Sequence, residues 1–376
     1  MKRIYFDNAA TTALDPEVLQ AMMPYLTEKF GNPSSIYSYG RESKIAIEAA
    51  RKTVAKLLGC KAGEIFFTSG GTESTNTAII ASIRDLGCTR IITSAIEHHA
   101  TLHATEAAAQ DHSTELQHVG LTDNGHIDLV HLESLLKAGG KTLVTLMHAN
   151  NEVGNLLDVE SVGSLCEQHG AIFHCDMVQT IGHYPVDLGK LKMHFASAAG
   201  HKFHGPKGVG MLYVNEGIQI KPLLQGGSQE RNMRAGTENI YGIVGFAKAL
   251  EIATLRFEED SNAIQELKNY MCRRLSETFP DVVCNGDSGR KSLYTVLNVS
   301  FPKTDKSEML LFSLDMAGIC VSGGSACSSG ASSISHVIKA LYNGQSEKMV
   351  PIRFSFCRHN TREEVDAVIE KLKELI

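Results

Sequence analysis

Short apolar runs alternate along this chain with amphipathic stretches, and turns rich in Gly or Asn separate them. That alternation is the signature of a parallel sheet whose strands are joined by crossover helices, so an α/β fold is expected. EIFFT (64–68), RIIT (90–93), TLVTLM (142–147), AIFHC (171–175), HFAS (194–197) and VGMLYV (209–214) read as strands of one large, mostly parallel sheet. Asp15-Pro16 reads as an N-cap followed by a favoured first helical residue. Leu19, Met22, Met23 and Leu26 repeat behind it at helical spacing, which predicts a helix docked by that stripe. A second helix is expected from about Glu42 to Leu58, with Ile47, Val54, Leu57 and Leu58 on one face and Gly59 as its stop. Past a long helical region from about Thr237 to Phe279, the strands LYTVLNVSF (293–301), ICVSG (319–323) and IRFSF (352–356) predict a smaller C-terminal α/β domain. Its last helix should start with Thr361 and Glu364 in capping-box spacing and bury Val365, Val368, Ile369 and Leu372. The expected division is an N-terminal segment 1–15 joining the small domain, a large domain 16–258 and a small domain 259–376.

Composition narrows the function classes. A 43% hydrophobic content over 376 residues is ample for two cores, and a net charge of −6 without a long basic run gives no footprint for nucleic acid or an anionic membrane. No apolar stretch approaches the length of a membrane span and MKRIYFDNAATT lacks the apolar core of a signal peptide, so a cytoplasmic protein is expected. Nine cysteines without a C-x-x-C pair read mainly as reduced structural thiols. Cys327 stands apart, because SGGSACSSG (322–330) sets it among small, flexible residues.

Several segments could carry chemistry. SGGTES (69–74) follows a predicted strand and opens a helix, so its backbone N–H groups suit a phosphate, although a plain strand-to-helix turn reads the same way. Without a Walker lysine, a P-loop is disfavoured. HCDMVQ (174–179) puts Asp176 and Gln179 past a strand, at the end where open α/β sheets bind ligands; the carboxylate could keep a ring nitrogen protonated or simply cap a helix. In AAGHKFHGPKGVG (198–210), Lys202 is either a solvated charge or a pocket amine able to attack a carbonyl, with Lys207 the weaker candidate. His99 and His103 have i, i+4 spacing for zinc but no third ligand, and His98 could cover a flat aromatic cofactor or lie on the surface. In VPIRFSF, Ile352, Phe354 and Phe356 alternate onto one face and Arg353 onto the other, as a carboxylate fork or an exposed edge charge.

Taken together, YFDNAATT (5–12), FGNPSS (30–35), TSGGTES (68–74), NNEVG (150–154), GHKFHGPKGVG (200–210), RAGTEN (234–239), GSACSSG (324–330) and IRFSF closely resemble, in order and over nearly the whole chain, the NifS/IscS-like cysteine desulfurases. These belong to the class V aminotransferase group of fold type I pyridoxal-phosphate enzymes. The resemblance implies that Lys202 is the Schiff-base lysine, Asp176 the partner of the pyridine nitrogen and His98 the residue stacked on the ring. Gln179 and Asn151 would lie near the phenolic oxygen and the substrate. Gly71, Thr72 and His201 would contact the phosphate, and Thr237 the phosphate of the other subunit of a homodimer. Asn8 and Arg353 would hold the carboxylate of L-cysteine, and Cys327 would receive its sulfur as a persulfide.

Three positions depart from the family pattern: Ala199 replaces a phosphate-binding serine, leaving Ser197 or water to substitute; Met177 stands where a small residue lies against the ring; and Tyr37 replaces a histidine. The implied acceptor is an iron–sulfur scaffold or a tRNA-thiolation protein. The end of the sequence at KLKELI, without the docking segment of housekeeping members, points to a different or weaker docking mode. The competing readings are a selenocysteine lyase or aminotransferase in which Cys327 is incidental, and a non-catalytic scaffold with the same fold.

Overall fold

The computed structural model describes residues 3–287, 289, 292–304, 307–323, 335–342 and 344–376. The chain opens with the two-residue strand β1 (Ile4–Tyr5) and then enters a seven-stranded sheet made of β2 (Ile65–Thr68), β3 (Arg90–Ser94), β4 (Glu115–Val119), β5 (Thr142–Met147), β6 (Ile172–Asp176), β7 (Phe195–Ala199) and β8 (Gly210–Val214). Their order is β2-β8-β7-β6-β5-β3-β4, and only β8 runs against its neighbours. Consequently the C-terminal ends of the other six strands face the same way.

Burial on both faces explains why these strands are nearly continuous in apolar residues. One face packs Phe173, Cys175, Ala196, Ala198 and Met211 against helices carrying Ile47, Val54, Val162, Ile243 and Leu250. The other packs Ile91 and Leu143 against Ile79 and Ile83 of the helix Gly71–Arg84 and Ala104 and Ala108 of the helix His99–His112. β4 has no counterpart among the expected strands: ELQHV is an edge strand with an exposed Glu115 and His118, so its pattern is mostly polar.

A smaller sheet follows, with β9 (Val283–Cys284) and β12 (Met349–Ser355) flanking β10 (Val296–Pro302), all antiparallel. β11 (Ile319–Cys320) pairs with β1 in parallel, and Asp7 bridges to Ser355, so the chain's start is laid against its end. Phe6 joins Val299, Ile352, Phe354 and the buried stripe Val365, Val368, Ile369 and Leu372 in a second core. The helix Arg362–Leu375 has the expected capping box between Thr361 and Glu364. Burying a side chain such as Ile369 or Leu372 there contributes about 1.5–3 kcal/mol.

The first helix corrects the expected docking stripe. Pro16–Thr27 is capped by Asp15 and buries Val18 and Met22, whereas Leu19, Met23 and Leu26 are each about 45% exposed. The apolar spacing is real, but this chain alone does not cover that face. The next helix starts earlier than expected, at Ser38 rather than Glu42, and Gly59, at φ 64°, follows its end.

Candidate active site

Because the six parallel strand ends share one side, the turns that follow them converge there, the position at which open α/β sheets bind ligands. Thr68 leads to Gly71 and Thr72, Ser94 to His98, Met147 to Asn151, Asp176 to Gln179, and Ala199 to His201 and Lys202. All of these residues after the strands, with Asp176, Ala199 and Arg353, line one cavity of about 250 Å³. Nine of the twelve residues anticipated from sequence therefore lie in a single site, a count that leaves only Asn8, Thr237 and Cys327 to be placed.

At one end, the first N–H groups of the helix Gly71–Arg84, those of Gly71 and Thr72 included, have no carbonyl within the helix and sit at its positive end. A Cβ on Gly71 would come within 2.6 Å of Val178 Cγ2, so glycine is required for this close approach. His201 Nδ1 pairs with Thr11 Oγ1 at 3.2 Å. The donor set fits an anionic phosphate.

In the middle, Asp176 accepts the Val178 N–H at 3.0 Å through Oδ1. Burial pushes its carboxyl up to about 6, against the opposing pull of that hydrogen bond and of Lys202. A cationic ring nitrogen would offset that desolvation. Lys202 donates from Nζ to the carbonyls of Ala9 and Ala10 at 2.7 and 3.0 Å, and its own carbonyl meets His183 Nε2 at 3.0 Å. His98 caps the helix His99–His112, its Nδ1 accepting the Ala100 N–H at 3.1 Å, which leaves Nε2 as the N–H of the neutral ring. Burial first, and Lys202 second, push His98 down to about 4, so it is uncharged near neutrality.

At the other end, Arg353 is 1% exposed. It donates to Asp7 Oδ1 at 2.7 Å and to the Asn151 carbonyl at 2.8 Å, while Nε is buried without a hydrogen-bond partner. Arg353 lines the cavity wall, and a buried guanidinium there suits a carboxylate ligand. The alternation in IRFSF placed Arg353 opposite the core, but it gave no sign of Asp7, which supplies a negative partner for the buried guanidinium.

The remaining predicted residues lie elsewhere. Asn8 is not in the cavity wall; its amide donates to the Ser355 carbonyl at 2.9 Å and joins the chain's start to β12. Thr237 is exposed in a separate cleft of about 180 Å³ with Thr68, Ser69, Glu230 and Arg234. Cys327 lies outside the described residues. The three departures are also placed. Ala199 lines the cavity, but Ser197 cannot substitute for a serine there, because its buried hydroxyl is bonded to His174 at 2.9 Å and Thr75 at 3.2 Å and is not part of the wall. Met177 points into the core and Val178 takes the wall position, while Tyr37 is exposed at the start of a helix. His99 and His103 stack at 5.2 Å, but among the described residues no group of three His, Cys, Asp or Glu is arranged for a metal ion.

Fold and cavity together define an α/β enzyme whose ligand site lies at the strand ends and offers donors that fit a phosphorylated ring compound. Residues 4–368 match the family model for aminotransferase class-V, and the chain belongs to that family. It is 41% identical to cysteine desulfurase IscS from Dictyoglomus turgidum, over 100% of this chain and 95% of that protein. Among solved structures, a NifS-like protein superposes with a TM-score of 0.90 at 37% identity, over 99% of both chains. A structure of SspA in complex with cysteine superposes with a TM-score of 0.82 at 30% identity, over 96% of this chain and 100% of the other.

Proposed function

We infer that the protein is a cysteine desulfurase that uses pyridoxal phosphate to convert L-cysteine into L-alanine, with the sulfur retained as a persulfide on Cys327. The observation that carries this reading is the convergence of Lys202, Asp176, the Gly71–Thr72 turn and Arg353 on one cavity. Gly71, Thr72 and His201 would hold the phosphate, Asp176 the ring nitrogen and His98 the ring face, with Gln179 and Asn151 beside them. When bound, the cofactor supplies a protonated ring that takes up the electron pair released as the substrate's Cα–H bond breaks.

The chain's own groups do the rest. Arg353 grips the substrate carboxylate, and Asp7 and the Asn151 carbonyl keep its guanidinium from swinging. Lys202, held at the cavity edge by the Ala9 and Ala10 carbonyls, takes the proton from Cα and returns one during product formation. His98, neutral near pH 7, contributes a ring face and an Nε2–H rather than a charge. Asn8 anchors the N-terminal motif that carries those two carbonyls. A Cys327 thiolate attacks the substrate's sulfur, so that the S–S bond forms as the Cβ–S bond breaks and Cβ, once protonated, becomes the methyl of alanine; a short side chain in a Gly- and Ser-rich sequence suits both that attack and delivery to an acceptor. Among the described residues, no helix is long and apolar enough to cross a membrane.

The exposed stripe Leu19, Met23 and Leu26, together with exposed Phe30, Ile36, Tyr37 and Tyr39, supports a homodimer, in which Thr237 would complete the partner's phosphate site. The acceptor is assigned by resemblance to an iron–sulfur scaffold, with a tRNA-thiolation protein as the lesser option. Cys327→Ser should retain the bound cofactor's absorbance and its perturbation by L-cysteine, yet yield no protein persulfide by mass spectrometry. Full desulfurase activity in that variant would remove Cys327 from the mechanism.

A further inference from the structure

The small sheet carries a pair of sulfurs that the proposed reaction does not use. Cys272 lies on the helix Phe257–Thr278 and Cys284 on β9, and their Sγ atoms are 3.8 Å apart. Both side chains are partly exposed. One turn before Cys272, on the same helix face, Lys268 is buried to 2% exposure. Its ammonium donates to Ser292 Oγ at 2.8 Å and to the Leu293 carbonyl at 3.0 Å, and among the described residues it has no carboxylate within salt-bridge distance. Burial pushes the Lys268 ammonium down to about 8, and Cys272, Cys284 and Asp287 pull the other way, so a thiolate on Cys272 is favoured beside it.

We propose that Cys272 and Cys284 form a peroxide-reactive dithiol that closes reversibly to a disulfide, tying the helix Phe257–Thr278 to β9. Three cysteines elsewhere set the contrast. Burial pushes the thiols of Cys60 and Cys166 up to about 12 and that of Cys88 up to about 11, whereas the hydrogen bond from Cys284, and then Lys268, hold Cys272 below the ordinary thiol range. Thiolate character and access select the site of oxidation, and Cys272 has both, with a resolving thiol in contact.

The chemistry balances with hydrogen peroxide as the oxidant. The Cys272 thiolate attacks one peroxide oxygen; an S–O bond forms, the O–O bond breaks, and the leaving hydroxide takes up a proton to become water. The Cys284 thiol then attacks the resulting sulfenic sulfur, so that the S–S bond forms, the S–O bond breaks and a second water leaves with the thiol proton. Two thiols are oxidised by two electrons and one peroxide is reduced to two waters.

The test uses the full-length protein, exposed to hydrogen peroxide, alkylated, digested without reductant and mapped by mass spectrometry. The expected result is a Cys272–Cys284 linked peptide, with loss of both alkylated peptides and their return after reduction. In Cys284→Ser, whose hydroxyl can still donate to Cys272 but cannot resolve it, the same treatment should leave Cys272 as a sulfenic acid that dimedone captures. Recovery of both cysteines alkylated in the wild type, or linkage of Cys272 to a different cysteine, would overturn the proposal. So would an unmodified Cys272 in the Cys284→Ser protein.

Discussion

Two turns approach the phosphate end of the cavity, and they differ in what they need from the rest of the molecule. The turn at 68–74 is completed by its own chain: Thr68 Oγ1 pairs with Ser74 Oγ at 2.8 Å, Glu73 Oε2 accepts the Ser69 N–H at 2.9 Å, and the helix that follows aims its N–H groups into the cavity. The turn at 234–239 is equally anchored at its base, where Arg234 Nε meets Glu73 at 3.0 Å and Glu230 forms a bidentate pair with buried Arg51 at 2.8 Å. Glu230, Arg231 and Asn232 all have left-handed backbone, with φ of 45, 57 and 65°. That is a strained run, which the Glu230 anchor holds in place. Its tip, however, presents Thr237 outward instead of into the chain's own cavity. The first turn is self-sufficient, and the second supports the proposed homodimer, in which another copy would complete it.

That difference orders the expected effects. Asp176→Asn, on the self-sufficient side, should slow alanine formation from L-cysteine by about a hundredfold, the scale of a lost charge partner. The same substitution should act oppositely on the cofactor-free protein. The rise of Asp176 from 3.8 to about 6 represents about 3 kcal/mol of stability, present in full below 3.8 and lost as pH rises through about 6. Above that pH the cofactor-free Asp176→Asn protein should melt several degrees higher than the cofactor-free wild type, and a lower melting temperature would mean that Asp176 is already paired.

Thr237→Ala, on the side that needs a partner, should weaken cofactor retention by about tenfold, one hydrogen bond's worth, in the dimer. Dilution to monomer should erase the difference between the variant and the wild type; an effect that persists in the monomer would place Thr237 in its own chain's site. Ala199→Ser is the smallest change and has the opposite sign. It adds a hydroxyl to the cavity wall beside Gly71, and should tighten cofactor binding by a few-fold. No gain in equilibrium dialysis would mean that water already fills that role.

Much of this site was legible in the sequence because each strand end is marked twice, by an apolar run and by the polar or Gly-rich turn after it. Asp176, Lys202, Gly71 and His98 all follow that rule. What was not legible depends on partners distant in sequence. Nothing near Arg353 signals that Asp7 pairs with it, and the bond from Asn8 to β12 appears only when the chain's two ends meet. Met177 was read against the wrong surface: one step along the chain after β6, the wall position passes to Val178. The stripe Leu19, Met23 and Leu26 was taken for a core face because periodicity reports an apolar face and not what covers it. Glu115–Val119 escaped notice because an edge strand needs little apolar burial.

On the proposed function, the cavity around Lys202 converts L-cysteine to L-alanine. The most direct measurement is alanine formed by the purified protein, supplied with pyridoxal phosphate and L-cysteine and no keto acid, compared with Lys202→Ala under the same conditions. Alanine from the wild type, with a loss of at least about a thousandfold in the variant that retains its fold by circular dichroism, is the predicted result. Alanine formation at equal rates by both proteins, or none from the wild type without a keto acid, would contradict it.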